Sequence, residues 1–289
     1  MEQVNFQATD GVQLNGFLYK SNTKTKTVIV SVHGMGSNCF KNREVAIAKT
    51  SIQNGIDYFC FNNRGSELAR YLKKTTNGKT VKILAGTCYE DALEGYFDVL
   101  GAILKVKELG YENIYIQGHS LGSTKALYTY KKLKEDNNEI LKNIKGLILL
   151  SLVDINTVMK CYLGDKFNFY LDFAEKKEAE GHLKYLMPSE SFIHPISVKT
   201  YLRYLRDYKE IDIDDYNMVS IIDIPVFMRW GTDNEMTIYQ PEELNQLVSE
   251  KINHNNKDIN CIYGANHSYD NYEEELAKQI DEFVKLYNV

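Results

Sequence analysis

The chain carries Ile114-Tyr115-Ile116-Gln117-Gly118-His119-Ser120-Leu121-Gly122, a short β-branched and aromatic run that ends in Gly-x-Ser-x-Gly. A helix-forming segment, Ser123 to Lys134, follows at once. The order is strand, sharp turn, helix, and a serine in that setting is lifted from the sheet edge with its Oγ aimed at solvent. The glycines have a steric reason: side chains two residues before or after the serine would collide with the neighbouring strand and helix.

Moving outward toward the amino terminus, Ala92, Tyr96, Val99, Ile103 and Val106 recur at helical spacing. Gly110 stops that helix, and Gly86-Thr87-Cys88-Tyr89-Glu90-Asp91 opens it, with Thr87 or Cys88 expected near the cap. Ser66 to Ala85 is polar and reads as irregular. Two continuous apolar runs, Thr27–Val32 and Ile56–Phe61, have the character of strands buried on both faces. The first ends in His33-Gly34-Met35-Gly36-Ser37, the second in Asn62-Asn63-Arg64-Gly65, and a helix from Arg43 to Asn54 lies between them. Val4–Ala8 and Val12–Tyr19 flank Thr9-Asp10-Gly11 as a hairpin.

Toward the carboxyl terminus, Ile144–Leu152 is another buried strand. The rhythm then breaks. Residues 154–216 are rich in Lys, Glu, Tyr and Phe, hold helix-like pieces at Phe167–Gly181 and Val198–Tyr208, and contain no strong strand. We read them as a helical cap inserted into a core made of residues 1–153 and 217–289. Ile224–Trp230 resumes the sheet, Pro241 begins a helix reaching Lys251, Asp258–Tyr263 is the last strand, and Tyr272–Tyr287 is an amphipathic closing helix. Strands alternating with helices predict an α/β architecture: a mostly parallel sheet of about eight strands covered on both faces.

In such a sheet, ligands bind at the carboxyl ends of the strands. Four polar clusters fall there: His33-Gly34-Met35, Gly118-His119-Ser120, Gly231-Thr232-Asp233 and Ala265-Asn266-His267. A serine needs a base to take its proton and a carboxylate to orient that base. Ser120, Asp233 and His267 supply these in the order nucleophile, acid, base. Asp233 is taken as the acid; Glu235, two residues on, and Asp154, after the preceding strand, are its rivals. His182, His194 and His254 read as surface or satisfied core residues, and Lys125 is expected to face solvent or the cap.

With these motifs the whole chain resembles the α/β-hydrolase fold superfamily. The resemblance implies a serine hydrolase acting on a small or medium-sized carboxylic ester through an acyl-enzyme. It places the oxyanion-binding backbone N–H groups at Met35 and Leu121. It implies no cofactor and no metal. Acyl transfer, thioester hydrolysis and carbon–carbon bond hydrolysis use the same triad, and a ligand-binding protein without turnover uses the same fold. Asn62-Asn63-Arg64-Gly65, Gly86-Thr87-Cys88-Tyr89-Glu90 and Gly118-His119-Ser120-Leu121-Gly122-Ser123-Thr124-Lys125 are more distantly similar to siderophore-ester hydrolases of the fusarinine esterase type. Arg64 in that setting is expected to be a structural hydrogen-bond hub.

Composition narrows the field. The 289 residues are 44% hydrophobic and 25% charged, with a net charge of -5, ordinary for a globular chain and without the basic footprint of a nucleic-acid binder. No apolar run approaches the roughly 18 residues of a spanning helix, so no membrane partner is expected. Met1–Asn5 lacks a basic region followed by an apolar core. The five scattered cysteines include no Cys-x-x-Cys, which favours reduced thiols and a cytoplasmic setting. Aromatic residues in 154–216 favour a substrate of apolar or aromatic character.

Overall fold

The computed structural model describes residues 1–207 and 209–288; Tyr208, where the second helical piece of the insertion was expected to end, and Val289, the last residue of the expected core, lie outside them. The alternating runs beside Thr9-Asp10-Gly11 pair as an antiparallel hairpin, β1 (Glu2–Gln7) and β2 (Gln13–Tyr19). The two apolar runs form β3 (Thr27–Val32) and β4 (Asp57–Asn62), joined by helix α1 (Asn42–Gln53). A separate two-stranded sheet, β5 (Arg70–Thr76) and β6 (Lys79–Ala85), precedes α2 (Gly95–Glu108). Then come β7 (Asn113–His119), α3 (Leu121–Glu135) and β8 (Ile144–Leu150). Helices α4 (Ile155–Leu163), α5 (Lys166–Ala179) and α6 (Val198–Leu205) occupy the interval before β9 (Val226–Asp233). The chain continues through α7 (Pro241–Lys251), β10 (Lys257–Asn266) and α8 (Glu273–Tyr287).

Eight strands form one sheet in the order β1-β2-β4-β3-β7-β8-β9-β10. Every pairing from β4 to β10 is parallel, and only β2 joins its neighbours antiparallel. A large core including Val30, Ile116, Leu147 and Met228 packs one face against α2, α3 and α7. A second core, with Ile29, Tyr115, Ile148 and Phe227, lies under α1 and α8. A third cluster joins α4–α6 to Leu121 and Tyr128 of α3. Among the described residues no helix is long and apolar enough to cross a membrane.

Three readings change. The stretch 66–85 is not irregular: β5 and β6 pair in register from Arg70–Ala85 to Thr76–Lys79. The turn is Asn77-Gly78, both with positive φ (51° and 75°), the pair that a two-residue hairpin turn favours. Thr87 and Cys88 do not cap α2. Asp91 accepts from the Leu93 N–H to start a short turn leading into that helix, while the Thr87 hydroxyl donates to the Gly65 carbonyl and accepts from the Gly36 N–H, each at 2.8 Å. Lys125 does not reach solvent; it is 1% exposed and paired with Glu90 at 2.6 Å. Arg64 is buried and donates to Asp98, Asp10 and Glu94, tying the turn after β4 to α2 and to the first hairpin.

Candidate active site

Ser120 links β7 to α3 with φ 54° and ψ -128°, a left-handed conformation that costs a non-glycine residue about 1–3 kcal/mol. The surroundings enforce it. The Ser120 N–H donates to the Leu150 carbonyl at 2.8 Å. A Cβ on Gly118 would overlap the backbone of Gly122 and Ser123, and one on Gly122 would overlap Val32. Side chains at those two positions would therefore push β7, α3 and β3 apart.

His267 follows β10, and its loop is fixed from three sides. His119 Nε2 donates to the His267 carbonyl at 2.7 Å, which assigns its proton to Nε2. Arg43 donates to the Ser268 carbonyl at 3.1 Å while pairing with Glu44 at 2.6 Å. Asn266 Oδ1 accepts from the Ser268 and Asp270 N–H groups. The His267 Nδ1–H donates to a carboxylate, leaving Nε2 as the basic nitrogen.

That carboxylate belongs to Glu235, not Asp233. Asp233 ends β9 opposite Asn266, and its side chain is exposed. Asn234 then takes a left-handed turn (φ 50°), which breaks the strand's alternation, and the longer Glu235 side chain reaches back under His267. Glu235 is almost fully buried, 6% exposed. Its Oε2 accepts from Ser151 Oγ (2.8 Å) and the Gly231 N–H (3.0 Å), and its Oε1 also accepts from the Met236 N–H (3.0 Å). Burial opposes ionisation, but these donors and His267 outweigh it and hold the carboxyl below its usual range. The third candidate, Asp154, caps α4 by accepting from the Thr157 N–H and hydroxyl.

On the opposite side stands the His33–Gly36 turn. The Asn63 N–H donates to His33 Nε2 and His33 Nδ1–H donates to the Gly34 carbonyl; burial pushes this imidazole down to about 3, so it stays neutral. A Cβ on Gly34 would lie 3.0 Å from that of Ser120, so the turn closes directly on the serine. Among the described residues, the Met35 and Leu121 N–H groups have no hydrogen-bond partner; Leu121 is the first residue of α3, where helix N–H groups lack intrahelical acceptors.

Ser120, His267 and Met35 line one cavity of about 630 Å³. Its wall also holds His194, from the segment between α5 and α6, although no local motif separates that histidine from His182 and His254. None of the aromatic residues of α4–α6 lines it. Tyr170, Phe192 and Tyr201 are buried in the third cluster, and Tyr162 and Phe169 point to solvent. The wall is mixed, with Ser37, Asn42 and Ser268 beside the apolar Met35, Phe40, Ile193 and Met236.

No protein-family model and no curated protein matches this chain. Solved structures do match it over nearly their whole length. Est1E from Butyrivibrio proteoclasticus with ferulic acid bound superposes with a TM-score of 0.66 at 18% identity, covering 98% of both chains. GrgF, an α/β hydrolase from Penicillium sp. sh18, gives 0.69 at 17% identity over 100% of this chain and 99% of its own. A Pyrococcus furiosus esterase gives 0.63 at 15% identity, over 99% and 91%. The chain has the α/β-hydrolase fold.

Proposed function

We propose that this protein is a serine hydrolase that cleaves carboxylic esters, with Ser120 as nucleophile, His267 as base and Glu235 as the acid that orients it. The observation that carries this reading is the hydrogen bond to buried Glu235 from His267, which shares the wall of one cavity with Ser120. Ser120 Oγ attacks the ester carbonyl and passes its proton to His267 Nε2. The Met35 and Leu121 N–H groups receive the oxyanion of the tetrahedral intermediate. Collapse breaks the bond to the alcohol oxygen, which takes the proton from the imidazolium and leaves an acyl-Ser120. Water, deprotonated by the same nitrogen, then releases the acid and restores the serine. Glu235 keeps the proton on Nδ1 and stabilises the imidazolium. Helices α4–α6 act as a cap that reaches the cavity through the segment between α5 and α6, where Ile193 and His194 form part of the wall.

The fold of Est1E and the other esterases supports this reading, as does an elbow strained without any structural need for a serine side chain. Labelling with a fluorophosphonate tests it: the wild type is expected to label, and Ser120→Ala and His267→Ala are expected not to. A folded wild type that stays unlabelled and hydrolyses no ester would overturn it.

A further inference from the structure

Several groups on the cavity wall, among them Gly34, His119 and Arg43, hold Ser120 and His267 in place. His194 is not among them. Its ring lies against the oxyanion turn: a Cβ on Gly36 would sit 2.9 Å from its Cε1 and 3.3 Å from each ring nitrogen. The segment that carries it is fixed at both ends. Phe192 and Ile196 are buried, the Met187 N–H donates to the Ile196 carbonyl, and the Ser197 N–H donates to the Cys88 carbonyl. Yet among the described residues neither ring nitrogen has a hydrogen-bond partner. A half-buried imidazole so fixed, on the wall of the cavity that also holds the candidate nucleophile and without a hydrogen-bond partner, is arranged for a ligand.

We propose that His194 is a specificity-determining residue that hydrogen-bonds a hydroxyl group carried by the substrate beside its scissile ester, so that hydroxylated esters are preferred over plain alkyl esters. The proposal rests on the hydrolase reading above. Burial lowers the basicity of His194, which leaves it with one donor and one acceptor, the complement of a hydroxyl. The rest of the wall favours a neutral polar group over an anion. Arg43 is already engaged by Glu44, Lys41 and Asp270 bring opposite charges, and Ser37 and Asn42 add neutral hydrogen-bonding groups. A site with such unpartnered groups discriminates against the analogue that lacks the hydroxyl, because the imidazole is then desolvated without a partner.

The test compares two matched pairs on the full chain: glycerol monobutyrate with propyl butyrate, and ethyl 3-hydroxybutyrate with ethyl butyrate. In the wild type, kcat/KM is expected to favour the hydroxylated member of at least one pair by about five- to tenfold. His194→Phe is expected to bring that ratio to about one, mainly by raising KM for the hydroxylated member, and His194→Gln to keep part of it. Using a ratio within each variant cancels any general loss of activity, and thermal unfolding shows that each variant is folded; His194→Ala replaces His194→Phe if the larger ring disrupts the Gly36 turn. Equal treatment of both pairs by a wild type that labels with fluorophosphonate, or a ratio unchanged in the variants, overturns this inference alone. A wild type that neither labels nor hydrolyses any of the four esters overturns the hydrolase reading and this inference with it.

Discussion

On the floor of the cavity, Ser120, His267 and Glu235 come from turns after β7, β10 and β9, and each turn is held by the sheet beneath it. In the layer above, α4–α6 have no strand to register them. They pack through apolar side chains such as Met159, Tyr201 and Leu205, and their polar ties converge on one short stretch of the core, Cys88–Asp91. There Thr200 Oγ1 donates to the Glu90 carbonyl (3.0 Å), Tyr204 OH to Glu90 Oε1 (3.2 Å) and Arg203 Nε to Asp91 (2.7 Å). Lys125 completes the joint by binding the other oxygen of Glu90 from α3. The floor is over-determined by topology, whereas the upper layer depends on a few buried bonds. The residues proposed to do the chemistry lie in the first kind of region, and His194, proposed to select substrates, lies in the second.

The largest effect that can break this contrast is on the floor. Glu235→Gln is expected to lower kcat by about 10³-fold, by removing the charge that orients His267, while Asp233→Asn stays within about twofold. Steady-state kinetics of both variants decide it; the reverse ranking would move the acid back to the end of β9. Next comes the joint. Lys125→Ala leaves Glu90 charged, buried and unpaired, and is expected to cost about 3 kcal/mol, measured by urea unfolding; an unchanged midpoint would mean that the layers do not depend on this pair.

The floor also has a pH signature. His33 titrates at about 3 in the folded protein against 6.5 when free. As pH falls through that window the unfolded chain takes up a proton that the folded chain refuses, so stability declines. His33→Asn is expected to flatten the slope of unfolding free energy against pH between those values, and a variant with the wild-type slope would refute this. The smallest effect belongs to the rim of the joint. Arg203 is 37% exposed, so Arg203→Ala is expected to cost roughly 0.5 kcal/mol, with faster amide exchange in α6 and none in α3. Equal acceleration in both helices would show that the two layers open together.

The contrast also explains what was readable from residues alone. The elbow, the His-Gly turn and His267 carry local signatures: a β-branched run, glycines where backbones touch, and a histidine between the last strand and last helix. The sheet followed from the alternation of such runs. The carboxylate that meets His267 did not, because Asp233 and Glu235 differ by the backbone of Asn234; its left-handed turn was foreshadowed only by the tolerance of Asn for that conformation. Asn77-Gly78 was a stronger turn signal inside a stretch that looked irregular because its strands are polar. Lys125 was expected at solvent or the cap because a lysine is rarely buried without a partner, and its partner lies 35 residues away. His194 had no local signature, since only the return of the chain between α5 and α6 sets it over Gly36.

The Lys125–Glu90 pair bears on how this molecule tolerates change. Either residue altered alone strands a charge in the interior, whereas exchanging both for apolar residues of similar volume removes the charges together. Sequences that diverge one step at a time are therefore held at these two positions, and those that change both at once face only the smaller cost of leaving the buried Tyr204 hydroxyl without its acceptor. Anyone grafting a different set of helices onto this sheet to alter selectivity should begin there, keeping Lys125 and Glu90 as a unit or replacing them as one.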